Sequence, residues 1–137
     1  MATPEAGKSE WNKILGPFYG ANRVSRMLGL TEEQVSSGYR ERGLLGCRTR
    51  DGALVFPAFQ FVQNEQDQSW SLVEGLSTVV SVFADPRVHV DDWTLASWTR
   101  SFLRDLKGES IVDHLKAGKG VEGPFAIARD VADRWSE

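Results

Sequence analysis

The sequence predicts a mainly α protein, in which a winged helix-turn-helix with a small β-hairpin is followed by an all-α four-helix unit. Three observations lead to this fold class. Two helical patterns flank a break near Gly29, Asp51-Gly52 lies between two short extended runs, and apolar residues from residue 70 onward recur at helical spacing. With 137 residues and 41% hydrophobic content, the chain fits one ordinary domain or two small ones sharing a core.

Composition changes along the chain predict three regions. Residues 1–8 are small and polar and are expected to form a disordered tail. Residues 9–62 form the predicted winged helix-turn-helix domain, which begins with a short helix at Ser9 to Leu15. The run Asn64 to Gln68 has no apolar residue, so it is interpreted as a surface connection. Residues 69–137 form the predicted helical domain.

Local signals predict the pair of helices that begins near Ala21. The first helix ends at Gly29, and Thr31 with Gln34 has the spacing of a capping box that starts the second helix. The residues expected to pack on the first helix are Val35, Gly38 and Tyr39. Because glycine inside a helix costs roughly 1 kcal/mol relative to alanine, we expect Gly38 to permit a close helix crossing.

A hairpin is predicted after the second helix. Gly43 suits the position just beyond the helix end, and Asp51-Gly52 is a strong two-residue turn signal. Arg48 and Arg50 are two apart on the first run, so their side chains should share one face of it. Pro57 ends the second run. A basic hairpin in this place is typical of a wing.

These features together favour binding to double-stranded DNA. In a helix-turn-helix the second helix lies in the major groove, and a basic wing can hold phosphates. The residues predicted to contact DNA are Thr31, Glu33, Gln34, Ser36, Ser37, Arg40, Arg42, Arg48 and Arg50. The alternative is a helical hairpin and a β-hairpin with solvated arginines. Dimerisation is expected, because paired half-sites multiply the few base contacts of one short helix.

Charge is distributed unevenly within the net charge of −3. Residues 1–60 carry eight Lys/Arg and six Asp/Glu, whereas residues 61–137 carry eight and thirteen. Only the contacting face of a DNA-binding protein must neutralise phosphates. The acidic second half is therefore not expected to touch DNA.

Four helices are predicted in this second half. They run from Trp70 to Ala84, from Asp91 or Asp92 to about Leu106, from Ile111 to Lys116, and from Gly123-Pro124 to the C-terminus. The residues of the second of these helices that are spaced for burial are Leu95, Trp98, Phe102 and Leu106. Short loops between the helices favour an antiparallel four-helix packing.

The order of residues in this half resembles that of a known family. The segments Asp92 to Trp98, Leu106 to Ser110 and Leu115 to Gly118, followed by a terminal helix, are similar to the toxin-binding domain of Xre/MbcA/ParS-type antitoxins. The resemblance covers roughly residues 72–137. The segment Tyr19 to Pro57 in turn resembles winged modules of the excisionase or MerR kind.

The antitoxin resemblance implies a bacterial repressor. Its front half would bind the operator of its own operon, and its rear half would bind a toxin with a RES domain, a fold that degrades NAD. The residues expected to bind this partner are Trp93, Trp98, His114, Arg129, Asp133, Arg134 and Trp135, because interface cores favour Trp and Arg. Alternatively, Trp135 closes its own helical bundle.

The sequence gives little support for catalysis, metal binding or thiol chemistry. No catalytic residues, metal site or cofactor are expected, so the chain is not predicted to be an enzyme. His89 with Asp91 and Asp92 could bind a divalent cation, but the aspartates are better explained as helix caps. Cys47 is the lone cysteine, which excludes an intramolecular disulfide, and it is expected to be an inert small side chain rather than a redox sensor.

The sequence as a whole predicts a cytoplasmic, nucleoid-associated regulator of the antitoxin type that does not enter membranes. No apolar run approaches the roughly 18 residues that cross a bilayer. Two alternatives stay open. One is a solitary transcription factor or excisionase-like architectural protein whose helical half only dimerises. The other is an adaptor whose winged domain binds protein.

Overall fold

A computed structural model describes residues 15–136. The helices are α1 Ala21–Leu28, α2 Glu32–Arg40, α3 Leu76–Val80, α4 Asp92–Arg100, α5 Ile111–Lys116 and α6 Glu122–Trp135. The strands are β1 Phe18–Gly20, β2 Cys47–Arg48, β3 Leu54–Pro57, β4 Phe61–Gln63 and β5 Trp70–Leu72. Three 3₁₀ turns span Ala58–Gln60, Ser81–Ala84 and Arg104–Leu106. The protein is therefore mainly α, as predicted. The predicted tail and the first helix, apart from Leu15, lie outside the described residues.

Helices α1 and α2 form where the sequence predicts them. Gly29 ends α1 in the left-handed conformation with φ 67°, which suits glycine because it lacks a Cβ. The predicted capping box starts α2. The Gln34 backbone N–H donates to Thr31 Oγ1 at 3.0 Å, and the Thr31 N–H donates to Gln34 Oε1 at 2.9 Å.

A three-stranded antiparallel sheet in the order β1-β3-β2 follows from the predicted hairpin. The turn is longer than the predicted two residues. The Thr49 N–H donates to Ala53 O at 2.8 Å, and Gly52 takes the left-handed conformation with φ 88°, so Arg50 to Gly52 form a three-residue loop. Arg50 therefore lies in the turn, and the prediction that it shares a strand face with Arg48 is wrong.

A second hairpin joins β4 and β5. Gln63 pairs with Trp70, and the exposed run Asn64 to Gln68 forms the turn between these strands. The predicted helix from Trp70 to Ala84 is thus wrong at its start, and the unit after residue 69 is not entirely α. Helix α3 begins only after Gly75, whose φ of 87° interrupts a helix. Pairing with β4 overrides the helical spacing of the apolar residues.

Helix α4 also ends earlier than predicted. Its C-terminal neighbour Ser101 has extended backbone, and Phe102, which was expected to be buried, is 80% exposed. Leu106 is buried as expected, but it lies in a 3₁₀ turn rather than in α4. The Leu103 N–H donates to Glu109 O at 3.0 Å, so local loop bonds replace the predicted last helical turns.

Two apolar clusters fill the interior. The smaller one lies under α1 and α2 and contains Val24, Val35, Leu44, Phe56 and Phe61. The larger one joins residues of the first half to the later helices, and its members from the first half are Leu15, Leu45, Cys47 and Phe59. No helix within residues 15–136 is long and apolar enough to span a bilayer.

Candidate nucleic-acid interface

Helix α2 presents a polar face that is held together by hydrogen bonds. Val35 points inward and is fully buried, whereas Arg40 at the end of the helix is exposed. Arg40 Nη1 donates to Ser36 Oγ at 2.8 Å, and Arg40 Nη2 donates to Ser37 Oγ at 3.1 Å. The guanidinium therefore lies back along the helix, over the two serines. This arrangement places a cation at the centre of the exposed face.

The N-terminal end of the same face carries the remaining predicted contacts of α2. Glu33 is exposed, and Thr31 and Gln34 are exposed although their side chains bond backbone N–H groups in the capping box. A shallow surface depression includes these three residues and Ser37. The structure thus brings four of the predicted DNA contacts together at this end of α2, with Arg40 and Ser36 beside them.

Gly38 has a different role from the predicted close helix crossing. A Cβ at Gly38 would lie 2.9 Å from Leu44 Cδ1, so glycine makes room for the loop that follows α2. Val35 is buried in the smaller cluster together with Val24 of α1.

Arg42 is not part of the exposed face, although it was predicted to contact DNA. It occupies the left-handed position after α2 with φ 59°, where Gly43 was expected to act. The Gly43 N–H donates to Gly38 O at 2.8 Å, and the Arg42 N–H donates to Tyr39 O at 3.1 Å, which is the bond pattern of a Schellman motif. The strain of a non-glycine residue there is about 1–2 kcal/mol. The side-chain bonds of Arg42 offset it.

Arg42 makes an ion pair with Asp92 at the start of α4. Arg42 Nη1 lies 2.8 Å from Asp92 Oδ1, and the two side chains are only 16% and 13% exposed. Arg42 Nη2 also donates to Val90 O at 3.3 Å. A guanidinium satisfied in this way is turned into the molecule, so it is withdrawn from the group of candidate DNA contacts.

Asp92 binds three groups of the first half at once. Besides Arg42, its Oδ2 accepts hydrogen bonds from Tyr39 Oη at 2.8 Å and from the Arg48 backbone N–H at 3.1 Å. The sequence pattern allows either Asp91 or Asp92 to cap this helix. Asp91 is the cap in the structure, since its Oδ1 accepts from the Thr94 N–H at 2.9 Å. Nothing in the local sequence around Asp92, three positions after His89, signals its contacts with the first half of the chain.

The pKa of the Tyr39 hydroxyl reflects its surroundings at the contact with Asp92. Burial raises the pKa of its hydroxyl, and the hydrogen bond to Asp92 raises that pKa further. The protonated phenol is therefore the form that the fold favours. Its contribution to stability is complete below the ordinary tyrosine pKa and declines as the pH rises through the raised value.

The hairpin arginines differ in what they contact. The Arg48 guanidinium donates to Gly52 O at 3.0 Å and lies 5.5 Å from the centroid of the Tyr39 ring. Its side chain is thus held against the hairpin and α2 while staying exposed. Arg50 is exposed at the tip of the hairpin. Arg48 therefore lies beside α2, and Arg50 adds a second exposed charge at the tip of the same hairpin.

Gln60 is a polar residue that the sequence does not single out, yet it is fully buried. Its Nε2 donates to Leu45 O at 2.7 Å and to Pro57 O at 3.0 Å, and its Oε1 accepts from the Leu45 N–H at 2.9 Å. The side-chain amide thereby satisfies the backbone of the loop between α2 and β2. Without these bonds the loop would bury unpaired polar groups.

Cys47 lies inside the larger apolar cluster and is fully buried. Burial raises the pKa of its thiol to about 12, mainly because a thiolate would be desolvated there, and the nearby Arg42 charge lowers it only in part. The expectation of an inert side chain agrees with this environment.

We expect the Cys47 thiol to be protected from Ellman's reagent at mildly alkaline pH in the native protein and to react rapidly after denaturation in urea. The thiol form also stabilises the fold, so stability should decline as the pH rises from the ordinary thiol value toward about 12. A reaction of the native protein as fast as that of the denatured protein would contradict the burial of this thiol. Cys47→Ala is the control, because it removes the reactive group.

The predicted partner-binding tryptophans make contacts within the chain. Trp98 and Trp135 lie 6.3 Å apart between ring centroids, and both pack against Phe83 at 5.2 and 5.5 Å. Trp93 packs edge-on against Phe18 at 5.7 Å. Aromatic pairs at these distances stabilise an interior. The arrangement corresponds to the alternative in which Trp135 closes its own bundle.

The charged residues predicted to bind a partner are spread over the helical half. His114 Nδ1 lies 3.2 Å from Glu109 Oε1, which also accepts from Lys119 Nζ at 2.8 Å. This lysine holds the pKa of Glu109 below its usual range. Arg129 and Asp133 line a surface cavity of about 240 Å³ near the C-terminal end of α6.

Arg134 is exposed on the same helix. The structure thus groups Arg129, Asp133 and Arg134 on α6, with Trp135 packed inward beside them, while His114 lies on α5. Residues 15–136 contain no group of three or more His, Cys, Asp or Glu side chains that could hold a metal ion.

Taken together, fold and site define a mainly α chain with two small antiparallel sheets and a polar, arginine-bearing helix face next to a hairpin. The fold is similar to that of Rv2175c as determined by NMR, with a TM-score of 0.60 and 23% sequence identity over 85% of this chain and 81% of that chain. This likeness concerns the fold. No model of a known protein family matches the chain, and no curated protein sequence matches it.

Proposed function

We propose that the protein binds double-stranded DNA through a winged helix-turn-helix, with α2 as the recognition helix and the β2–β3 hairpin as the wing. The observation that carries this proposal is the exposed face of α2, where Arg40 is held over Ser36 and Ser37 at 2.8 and 3.1 Å. Such groups can donate to base edges and phosphates in the major groove.

The surroundings of this face support the same function. The wing tip carries Arg50, and Arg48 is exposed on the same hairpin and lies against the Tyr39 ring of α2, so the hairpin adds two exposed cations to the Arg40 face. The wing arginines supply affinity that does not depend on sequence, and the Ser36, Ser37 and Arg40 face supplies selectivity. Transcription regulation by an antitoxin-like repressor is the role we assign to this binding. Pairing of two chains would increase the number of base contacts.

The toxin-binding part of this role stays a prediction. Trp98 and Trp135 pack on each other, so neither is an exposed anchor for a RES-type toxin in the described chain. A solitary transcription factor or an excisionase-like architectural protein, with a helical half that dimerises, is the alternative. Co-purification from the native host with and without nuclease separates a protein partner from one bridged by DNA.

Replacing Arg40 with alanine is expected to reduce discrimination between preferred and random DNA by about 1–3 kcal/mol. The preferred sequence is obtained by selecting the wild-type protein on a random duplex library, and affinities are then measured at several salt concentrations. Arg50→Ala is the matched control, because it should weaken binding to both duplexes alike. An unchanged ratio for Arg40→Ala would remove Arg40 from the reading face, and absence of salt-sensitive duplex binding by the wild type would overturn the proposed function.

A further inference from the structure

The free edge of the predicted wing is covered by the second half of the chain. In the sheet order β1-β3-β2, strand β2 is an edge strand, and Arg48 faces Leu54 across the ladder. The Arg48 N–H instead donates to Asp92 Oδ2 at 3.1 Å, and its carbonyl accepts from Trp93 Nε1 at 3.3 Å. Two consecutive residues of α4 thus bond the backbone groups that an edge strand leaves unpaired.

The same two residues also join α2 and strand β1 to the start of α4. Asp92 accepts from Tyr39 Oη at 2.8 Å and pairs with Arg42 at 2.8 Å, so the C-terminal end of α2 is joined to the start of α4. Trp93 packs against Phe18 in β1 at 5.7 Å. One short segment therefore contacts α2, the wing edge and the opposite edge of the sheet.

We propose that Asp92 and Trp93 are positioning residues for DNA binding, which set the angle of the wing relative to the recognition helix without touching DNA. This inference rests on the proposed function. A wing tip can contact a phosphate only if it lies at the right distance from the helix in the groove, and preorganisation of this kind lowers the cost of binding. The acidic half of the chain thereby contributes to DNA affinity through the placement of Arg50.

The test is a double-mutant cycle for binding to a short random-sequence DNA duplex. In the wild type, Arg50→Ala is expected to weaken binding about five-fold and to reduce the salt slope by about one. In the Asp92→Asn or Trp93→Phe background, Arg50→Ala should change binding by less than about two-fold, because the wing is no longer held against the phosphate. Trp93→Phe keeps an aromatic ring beside Phe18 and removes the indole donor to the Arg48 carbonyl together with part of the ring volume.

The matched control is Asp91→Ala. It removes the N-cap of the same helix, at a cost of about 1 kcal/mol, but contacts neither Tyr39 nor Arg48. In this background the full effect of Arg50→Ala should persist. All variants are compared at a temperature where circular dichroism shows them folded.

If the wild type binds the duplex and Arg50→Ala weakens binding by the same factor in the wild type and in both test backgrounds, the positioning role is wrong but the proposed function is not affected. Loss of the Arg50 effect in Asp91→Ala as well would also overturn it, since any weakening of α4 would then suffice. If the wild type binds no duplex, the proposed function fails and this inference fails with it.

Discussion

Replacing Gln60 with alanine is expected to lower the free energy of unfolding by about 3–5 kcal/mol. The side chain is fully buried, and its amide satisfies Leu45 N–H, Leu45 O and Pro57 O. Truncation leaves these backbone groups unpaired in the interior and opens a cavity. Urea denaturation followed by circular dichroism measures the loss, with the midpoint shifting and the slope unchanged.

Two further variants test how much of this loss comes from the hydrogen bonds of the buried amide. Gln60→Leu keeps most of the volume and removes the hydrogen bonds, so it should cost less than Gln60→Ala but still about 2 kcal/mol. Gln63→Ala is the surface control, since Gln63 is exposed and makes one bond to Gln68 O at 3.0 Å. It should change stability by less than about 0.5 kcal/mol. Equal stability of Gln60→Leu and wild type would show that the amide bonds contribute nothing net.

Replacing Gly46 with alanine is expected to destabilise the fold by about 2–3 kcal/mol through overpacking. A Cβ at this position would lie 2.6 Å from Tyr39 Cδ1, 3.1 Å from Phe56 Cε2 and 3.2 Å from Leu54 Cδ1. The Tyr39 ring cannot retreat easily, because its hydroxyl is bound to Asp92 at 2.8 Å. Thermal unfolding should show a lower Tm for this variant.

Gly20→Ala is the matched control for this prediction. Nothing lies within 4 Å of a Cβ built at Gly20, and its φ of −75° is accessible to alanine. Its stability should stay within about 0.5 kcal/mol of the wild type. A Gly46→Ala protein as stable as Gly20→Ala would mean that the interior around Tyr39 rearranges at no cost.

The elements that short-range chemistry determines could be predicted from the sequence. The capping box of Thr31 and Gln34 and the glycine stop at Gly29 are local, so α1 and α2 lie where they were expected. Strand β5 could not be predicted this way. Its Leu72 shares helical spacing with Leu76, and only its pairing with Phe61 in β4 decides that it is extended.

The residues of the candidate site also divide into those that the local sequence predicts and those that depend on contacts with distant segments. The exposed face of Ser36, Ser37 and Arg40 follows from helical periodicity alone. The internal role of Arg42 does not, because it depends on Asp92, fifty positions later in the chain. Gln60 also looks like an ordinary polar residue until the loop at Leu45 folds over it. Contacts between distant segments account for each of these differences.

The larger core has a consequence for dividing the protein into fragments. Leu15, Leu45 and Phe59 belong to one buried cluster with side chains that arrive late in synthesis, among them Val131 and Ala132. A polypeptide that ends at residue 63 would therefore expose an apolar surface to water. During synthesis this surface can be fully buried only after α6 has left the ribosome. The first half expressed alone should therefore aggregate, whereas the full chain buries the same apolar side chains.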